Sequence, residues 1–139
     1  MTRRLSLLLA VLLATPLLAH GQQPFSRMDV FDLEWAANPQ ISPDGERIVY
    51  ERQGMDVMAD RRTSHLWMIG ADGTGHVKLT NREADASGPR WSPDGSKVAF
   101  TSSSDAHGTE VYVHWVEAGR TARLTQMENA PGGLSWSPD

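Results

Sequence analysis

Gly88-Pro-Arg-Trp-Ser-Pro-Asp-Gly95 decides the fold, because the same phrase stands twice more in the chain. It occurs earlier as Asn38-Pro-Gln-Ile-Ser-Pro-Asp-Gly45 and later as Gly133-Leu-Ser-Trp-Ser-Pro-Asp139. The serines are Ser42, Ser92 and Ser137, spaced by 50 and 45 residues. A second phrase repeats between them: Ser64-His-Leu-Trp-Met-Ile69 with Lys78-Leu-Thr80 returns as Thr109-Glu-Val-Tyr-Val-His114 with Arg123-Leu-Thr125, an offset of 45. The five additional residues of the first unit therefore fall between Ser42 and Ser64, and the polar run at 54–62 suits a longer surface loop there.

Each unit is expected to hold four short strands. In Ser-Pro-Asp-Gly, Pro presets φ for the first turn position, Asp can bond its own backbone, and Gly accepts φ > 0. A tight turn then joins a strand ending at Trp91 to one at Lys97-Val-Ala-Phe-Thr101. Val111-Tyr-Val-His-Trp-Val116 forms the third strand and residues 121–125 the fourth, with Ala71-Asp72-Gly73 and Glu117-Ala118-Gly119 as turns before it. A period of about 45 residues with four strands per unit is the signature of a β-propeller blade. Neighbouring blades cover both faces of a blade, which explains the nearly continuous apolar run at 111–116. Trp67, Trp91, Trp115 and Trp136 are then expected between blades.

Ahead of the first unit, residues 26–37 predict a short helix on the propeller rim. Ser26 can cap it, Asp29 stands at the capping-box offset, and Phe31 and Trp35 share a face at i, i+4. The fold class is thus all-β: a partial propeller of two four-stranded blades and a fraction of a third. Propellers close with about four to eight blades, so the chain is expected to be the N-terminal fragment of a longer protein. A reading frame that truly stopped here would leave a remnant with exposed blades, prone to aggregate.

The first 21 residues have the form of a secretory signal peptide. Arg3 and Arg4 make a positive start, residues 5–18 are an uncharged Leu-rich run, and Ala19-His-Gly21 supplies small residues at a cleavage site after Gly21. The run is shorter than the roughly 20 residues of a membrane span and holds Pro16. The predicted organisation is a signal peptide at 1–21, a linker with a short helix at 22–37, and an incomplete propeller at 38–139, with units starting near 38, 88 and 133. The mature chain is expected to be periplasmic or secreted, with no membrane association. Losing Arg3 and Arg4 from 13 basic residues leaves 11 against 17 acidic ones, a formal charge of −6. A nucleic-acid partner, which needs a basic footprint, is not expected. With no Cys, the chain has no disulfide, thiolate metal site or Cys nucleophile.

No residue is assigned a catalytic, cofactor-binding or metal-binding role. A Ser hydrolase would show Gly-x-Ser-x-Gly between a strand and a helix. Gly133-Leu-Ser-Trp-Ser137 lacks the last Gly and belongs to the repeat. His20, His65, His76, His107 and His114 share no ligand spacing, and Asp72-Gly-Thr-Gly75 has one acid where a calcium loop alternates several. Asp56, Asp60, Arg61 and Arg62 form a mixed-charge cluster, either a solvated loop or a contact for a partner or substrate. Gly-rich phosphate loops are absent.

The order of features resembles the start of the prolyl-oligopeptidase family of serine peptidases, in its bacterial acylaminoacyl-peptidase and dipeptidyl-peptidase branches. The residues that carry the resemblance are Met28-Asp-Val-Phe-Asp-Leu33, residues 39–50, Arg62-Thr-Ser-His-Leu-Trp-Met68, residues 89–100 and Arg123-Leu-Thr125. The resemblance implies a propeller capping a C-terminal α/β-hydrolase domain that holds a Ser-Asp-His triad and would lie downstream. It also implies short peptides as substrates, with these residues as scaffold and gate and none as catalyst. The alternative is a non-enzymatic periplasmic binding propeller, similar to the propeller protein of the Tol system, which shares the Ser-Pro-Asp-Gly blades and the signal peptide.

Overall fold

The computed structural model describes residues 25–80, 84–104 and 106–138. The predicted signal peptide, its cleavage site and Asp139 lie outside the described residues. Eight strands form two antiparallel sheets in simple up-and-down order. The first sheet holds β1 (Trp35–Ile41), β2 (Arg47–Asp56), β3 (Arg61–Gly70) and β4 (Val77–Lys78). The second holds β5 (Asp85–Trp91), β6 (Lys97–Ser104), β7 (Gly108–Trp115) and β8 (Arg120–Arg123). Each repeat is therefore one four-stranded blade, and the partial propeller is the fold.

The repeated phrase makes the same turn twice. The Ser42 hydroxyl donates to Asp44 Oδ1 at 2.5 Å and accepts from the Arg47 amide at 2.9 Å. The Ser92 hydroxyl does the same with Asp94 at 2.6 Å and Lys97 at 2.9 Å. Asp44 and Asp94 then accept from the amides of Glu46 and Ser96. Gly45 and Gly95 take φ of 78° and 69°, the left-handed region where a side chain is strained. Both serines are buried, so their hydroxyls satisfy backbone groups that water does not reach.

The two blades also share an irregularity in their first strand. Pairing slips between Ala37 and Gln40 in β1 and between Ser87 and Arg90 in β5. Asn38 and Gly88, each before a proline, sit at the slip with positive φ. This is a β-bulge, which bends and twists the strand. At the other end of each blade, Thr80 and Thr125 accept from the amides of Leu66 and Val111 through their hydroxyls, extending the ladder by side chain.

The extra length of the first unit lies where expected but takes another form. Strands β2 and β3 are ten residues each, whereas β6 and β7 are eight, so most of the insertion lengthens the hairpin arms and little goes to the loop. The rim helix is a larger correction. Only Asp29–Asp32 form a single 3-10 turn, and Trp35 to Ala37 belong to β1, paired with Gln53 to Glu51 of β2. Ser26 donates twice to Asp29, from its amide to Oδ2 at 2.6 Å and from its hydroxyl to Oδ1 at 2.8 Å, but the cap residue of the turn is Met28, with no side-chain cap bond. Such local bonds stabilise little helix when the following residues gain a full strand ladder, and Pro39 disfavours helical backbone before it.

The third unit is present only in outline: residues 130–138 form no strand ladder. A first strand pairs with the second strand of its own blade, and residues 130–138 have no such partner among the described residues. Between the two sheets, Leu66 of β3 packs with Ala86 of β5 and Phe100 of β6, and Leu79 and Tyr112 lie against them. Phe100 stacks on Tyr112 with ring centroids 5.8 Å apart. Burying the Leu66 and Phe100 side chains contributes about 1.5–3 kcal/mol each.

Candidate functional site

The seam between the sheets is tied by polar contacts around this small apolar core. Glu51, on β2 and 1% exposed, accepts from Asn38 Nδ2 at 2.8 Å, Gln53 Nε2 at 2.7 Å and, across the seam, the bulge amide of Gly88 at 2.8 Å. Asp85 at the start of β5 reaches back to the Ser64 amide at 2.9 Å and the Arg61 guanidinium at 2.6 Å. The Ser64 hydroxyl donates to the Ala86 carbonyl at 2.8 Å. The Trp91 indole donates to the Gln40 carbonyl at 3.0 Å, and Trp136 repeats the contact on the Arg90 carbonyl at 3.0 Å. The tryptophan of the second unit and that of the third thus each tie their unit to the first strand of the unit before.

A polar cleft of about 770 Å³ opens on the other face of the first sheet. Glu34, Arg52, Asp56, Arg61, Trp67 and Lys78 are among its lining residues. Arg52 pairs with Glu34 and lies over the Trp67 ring, 5.0 Å from its centroid. His76 sits 4.8 Å from Trp67 on ring centroids and shares a hydrogen bond with the Tyr50 hydroxyl, Nε2 to oxygen 2.7 Å. The two charges of each pair are close and partly exposed, an arrangement that holds geometry more than it adds stability. Cations over aromatic faces suit recognition of an acidic or planar group. Among the described residues no serine lines this cleft.

The mixed-charge cluster is divided among different tasks. Asp56 closes the β2–β3 turn by accepting from the Met58 and Ala59 amides at 3.1 and 3.0 Å, and Asp60 takes positive φ in that turn. Arg61 crosses to Asp85, and Arg62 is exposed. The turn tip is apolar, with Met58 97% exposed beside Val57. Asp72 closes its own turn on the amide and hydroxyl of Thr74 at 2.9 and 2.8 Å, which holds its carboxyl below the usual range.

The histidines do not converge. His65 and His76 stand on the first sheet's side and His107 and His114 on the second's; His20 lies outside the described residues. His114 is buried, its Nδ1 2.9 Å from the hydroxyl of its cross-strand neighbour Thr121, and burial pushes its imidazole down from the ordinary value. Among the described residues no group of three His, Asp or Glu is gathered to hold a metal. Of the four tryptophans expected between blades, Trp91 and Trp136 make the contacts across repeats, and Trp67 faces the outer cleft.

Two buried carboxylates escape the sequence reading, and both are structural. Glu51 is described above. Glu110 accepts from the Thr125 hydroxyl and from the Met127 amide at 2.9 Å, and these donors hold its carboxyl below the usual range. The signal for Glu51 was an acid in mid-strand where the second repeat has Thr101.

Comparison with known proteins agrees with this architecture. No protein-family model matches the chain. The uncharacterized peptidase YuxL of Bacillus subtilis is 32% identical over 111 residues, 80% of this chain and 17% of that protein. Dipeptidyl-peptidase 5 of Porphyromonas endodontalis is 27% identical over 143 residues, 94% of this chain and 20% of that protein. These relatives are peptidases, and the matches are consistent with a propeller segment of the prolyl-oligopeptidase type. Among solved structures, this propeller segment superposes on the acylaminoacyl peptidase of Pyrococcus horikoshii with a TM-score of 0.62 at 14% identity, over 78% of this chain and 16% of that one. It also superposes on the β-propeller domain of the trilobed protease of Pyrococcus furiosus, with a TM-score of 0.59 at 19% identity, over 76% and 31%. A weaker match joins it to the Tol-Pal system protein TolB of Alcanivorax borkumensis, 30% identical over 80 residues, 58% of this chain and 18% of that protein. The segment spans about a fifth or less of the peptidases it matches in sequence.

Proposed function

We propose that this chain is the propeller part of an exported serine peptidase that cleaves short peptides, acylaminoacyl- or dipeptidyl-peptidase-like, and that it serves there as scaffold and substrate gate. The observation that carries the reading is the alignment with two peptidases over 80% and 94% of the chain. The residues themselves agree: the chemistry that the repeats share goes into turns, bulges and seams, which is what a ring requires. Acyl transfer needs a nucleophile, a base and an oxyanion hole, and in this reading a separate α/β-hydrolase domain supplies them. A ring of blades over that domain would exclude folded chains by size. The leader at 1–21 directs the protein out of the cytoplasm, to the periplasm or beyond.

The intact mass of the native exported protein, detected with an antibody to residues 22–139, tests this. The expected result is a species several times heavier than 15.3 kDa, beginning at Gln22 and labelled by a fluorophosphonate probe for active serines. A heavy but unlabelled species would favour the second reading, a binding propeller without an enzymatic domain, which the TolB match supports over 58% of the chain. A species no larger than the chain would sink both.

A further inference from the structure

The residues that the first unit has and the second lacks build a projecting arm. Strands β2 and β3, ten residues each against eight in β6 and β7, carry a tip with Val57 52% and Met58 97% exposed. The matching tip of blade 2 presents Ala106 and His107 instead. The arm is braced: Asp56 closes its turn on the Met58 and Ala59 amides, and Arg61 straps its base to Asp85 of blade 2. Phe25, Met28, Phe31 and Leu33 stand exposed at the same rim, where Glu34 lies against Gly54 and pairs with Arg52. An apolar patch rimmed by charged residues marks an interaction site, and bracing lowers what docking costs in ordering.

Strand direction says what lies on that side. β1 begins at this rim, where Trp35 pairs with Gln53, and β4 runs back toward it, its partner moving from Met68 to Trp67. β5 starts at the same rim, with Asp85 opposite Ser103. Four up-and-down strands return the chain to the rim it left, so a polypeptide that completes a whole number of blades leaves the ring on the side toward which the arm projects. The matched segment is 17% and 20% of its peptidase relatives, which leaves room for a domain after the ring.

We propose that the blade-1 arm is a docking element for the domain that follows the ring, with the Val57–Met58 tip seated in an apolar recess of that domain beside the segment from Phe25 to Leu33. The inference rests on the reading above that such a domain follows, and not on what that domain catalyses. These few apolar side chains fall short of the roughly 20–30 residues a side of a stable interface between free partners. A partner in the same polypeptide needs no such area, because the tether keeps its effective concentration high.

Two measurements on the intact protein test the proposal. The photo-reactive residue p-benzoylphenylalanine in place of Met58, at a position exposed enough to accept it, should cross-link within the same chain to a segment beyond the last Ser-Pro-Asp repeat. A partner inside the repeats, a link to a second copy, or no link overturns the docking. Oxidation of Met58 by dilute peroxide, folded against urea-unfolded, gives the occupancy. A contact that buries one Met side chain is open less than about a tenth of the time, so the folded protein should react at least about ten-fold more slowly. Any smaller protection leaves the tip in water and overturns the proposal. A cross-link to a downstream domain that no fluorophosphonate probe labels keeps the docking and removes the peptidase. A labelled protein whose arm links inside the ring does the reverse, and a species no heavier than the chain itself removes both.

Discussion

Replacing Glu51 by Ala should loosen the seam between the blades more than any surface change. The carboxylate is buried, and its three donors differ in what happens to them when it goes. Asn38 is exposed and Gln53 partly so, and both can turn to water. The Gly88 amide is fixed in the β5 bulge and finds no other acceptor there. Stranding one buried donor costs about 1–3 kcal/mol, and a charged hydrogen bond is worth about 1.5–3 kcal/mol, so the loss is about 3 kcal/mol. Glu51→Gln keeps an oxygen for Gly88 and Asn38 but turns an amide toward Gln53, and should cost about 1 kcal/mol. Hydrogen exchange of the segment Asp85–Trp91 in the intact protein reads this locally. About a hundred-fold faster exchange is expected for Glu51→Ala and about five-fold for Glu51→Gln, at 1.4 kcal/mol per decade. An alanine variant within two-fold of the parent, or a glutamine variant worse than the alanine one, would refute the reasoning.

Other consequences follow from the repeated turn and the buried imidazole. Gly45→Ala has open space around the new methyl group, so its cost of about 1–2 kcal/mol is that of left-handed backbone alone, measurable as a lower denaturant midpoint. The hydroxyl of Ser92 and the amide of Ser96 hold the Asp94 carboxyl well below its ordinary value of 3.8. Its folded-state value is depressed, so its contribution is complete above that pH and is lost as pH falls below it. Asp94→Asn should therefore lower the midpoint at neutral pH and flatten its fall between about pH 5 and pH 2. His114 is depressed by burial, so it too favours the fold above its ordinary value of 6.5 and opposes it as pH falls below that. His114→Gln should remove part of the stability loss on acidification from about pH 7 to pH 5, and an unchanged pH profile would exclude that role.

What the sequence made legible was whatever both repeats share. Ser42 and Ser92, Asp44 and Asp94, and Gly45 and Gly95 announce their turn by local chemistry, and the turn forms twice with the same bonds. Apart from the extra length of the first unit, what differs between repeats stayed hidden. Glu51 faces Gly88 across 37 positions, and its counterpart Thr101 does something else, so no periodic reading could assign it. The helix expected at 26–37 failed for the opposite reason. Its signals were local and real, but Ala36 and Ala37 bond to a strand more than ten residues on, and that pairing decides their conformation. The outer cleft was not legible, because Glu34, Arg52 and Trp67 come together only when β2 pairs with β3 and the residue before β1 reaches them.

The way the blades are joined also bears on what a change at one of them can do. The buried apolar cluster between the sheets is small, centred on Leu66, Ala86 and Phe100, and the seam relies on Glu51, Asp85 and Trp91 to complete it. In a repeat array each unit is stabilised by its neighbours, so a lost seam contact acts on two blades and little beyond. A latch on the first strand differs from one farther out, since Trp91 and Trp136 tie successive first strands, β1 to β5 and β5 to the next unit. Weakening Trp91 should therefore widen the spacing of first strands without unfolding the hairpins, while weakening Asp85 should free the β3 end of the seam. Trp91→Phe keeps the ring and removes only the indole donor, so hydrogen exchange should rise in β1 and β5 about five-fold while β7 and β8 stay unchanged. A rise spread evenly over all eight strands would mean that the two blades unfold as one unit and that the seam is not the separable element described here.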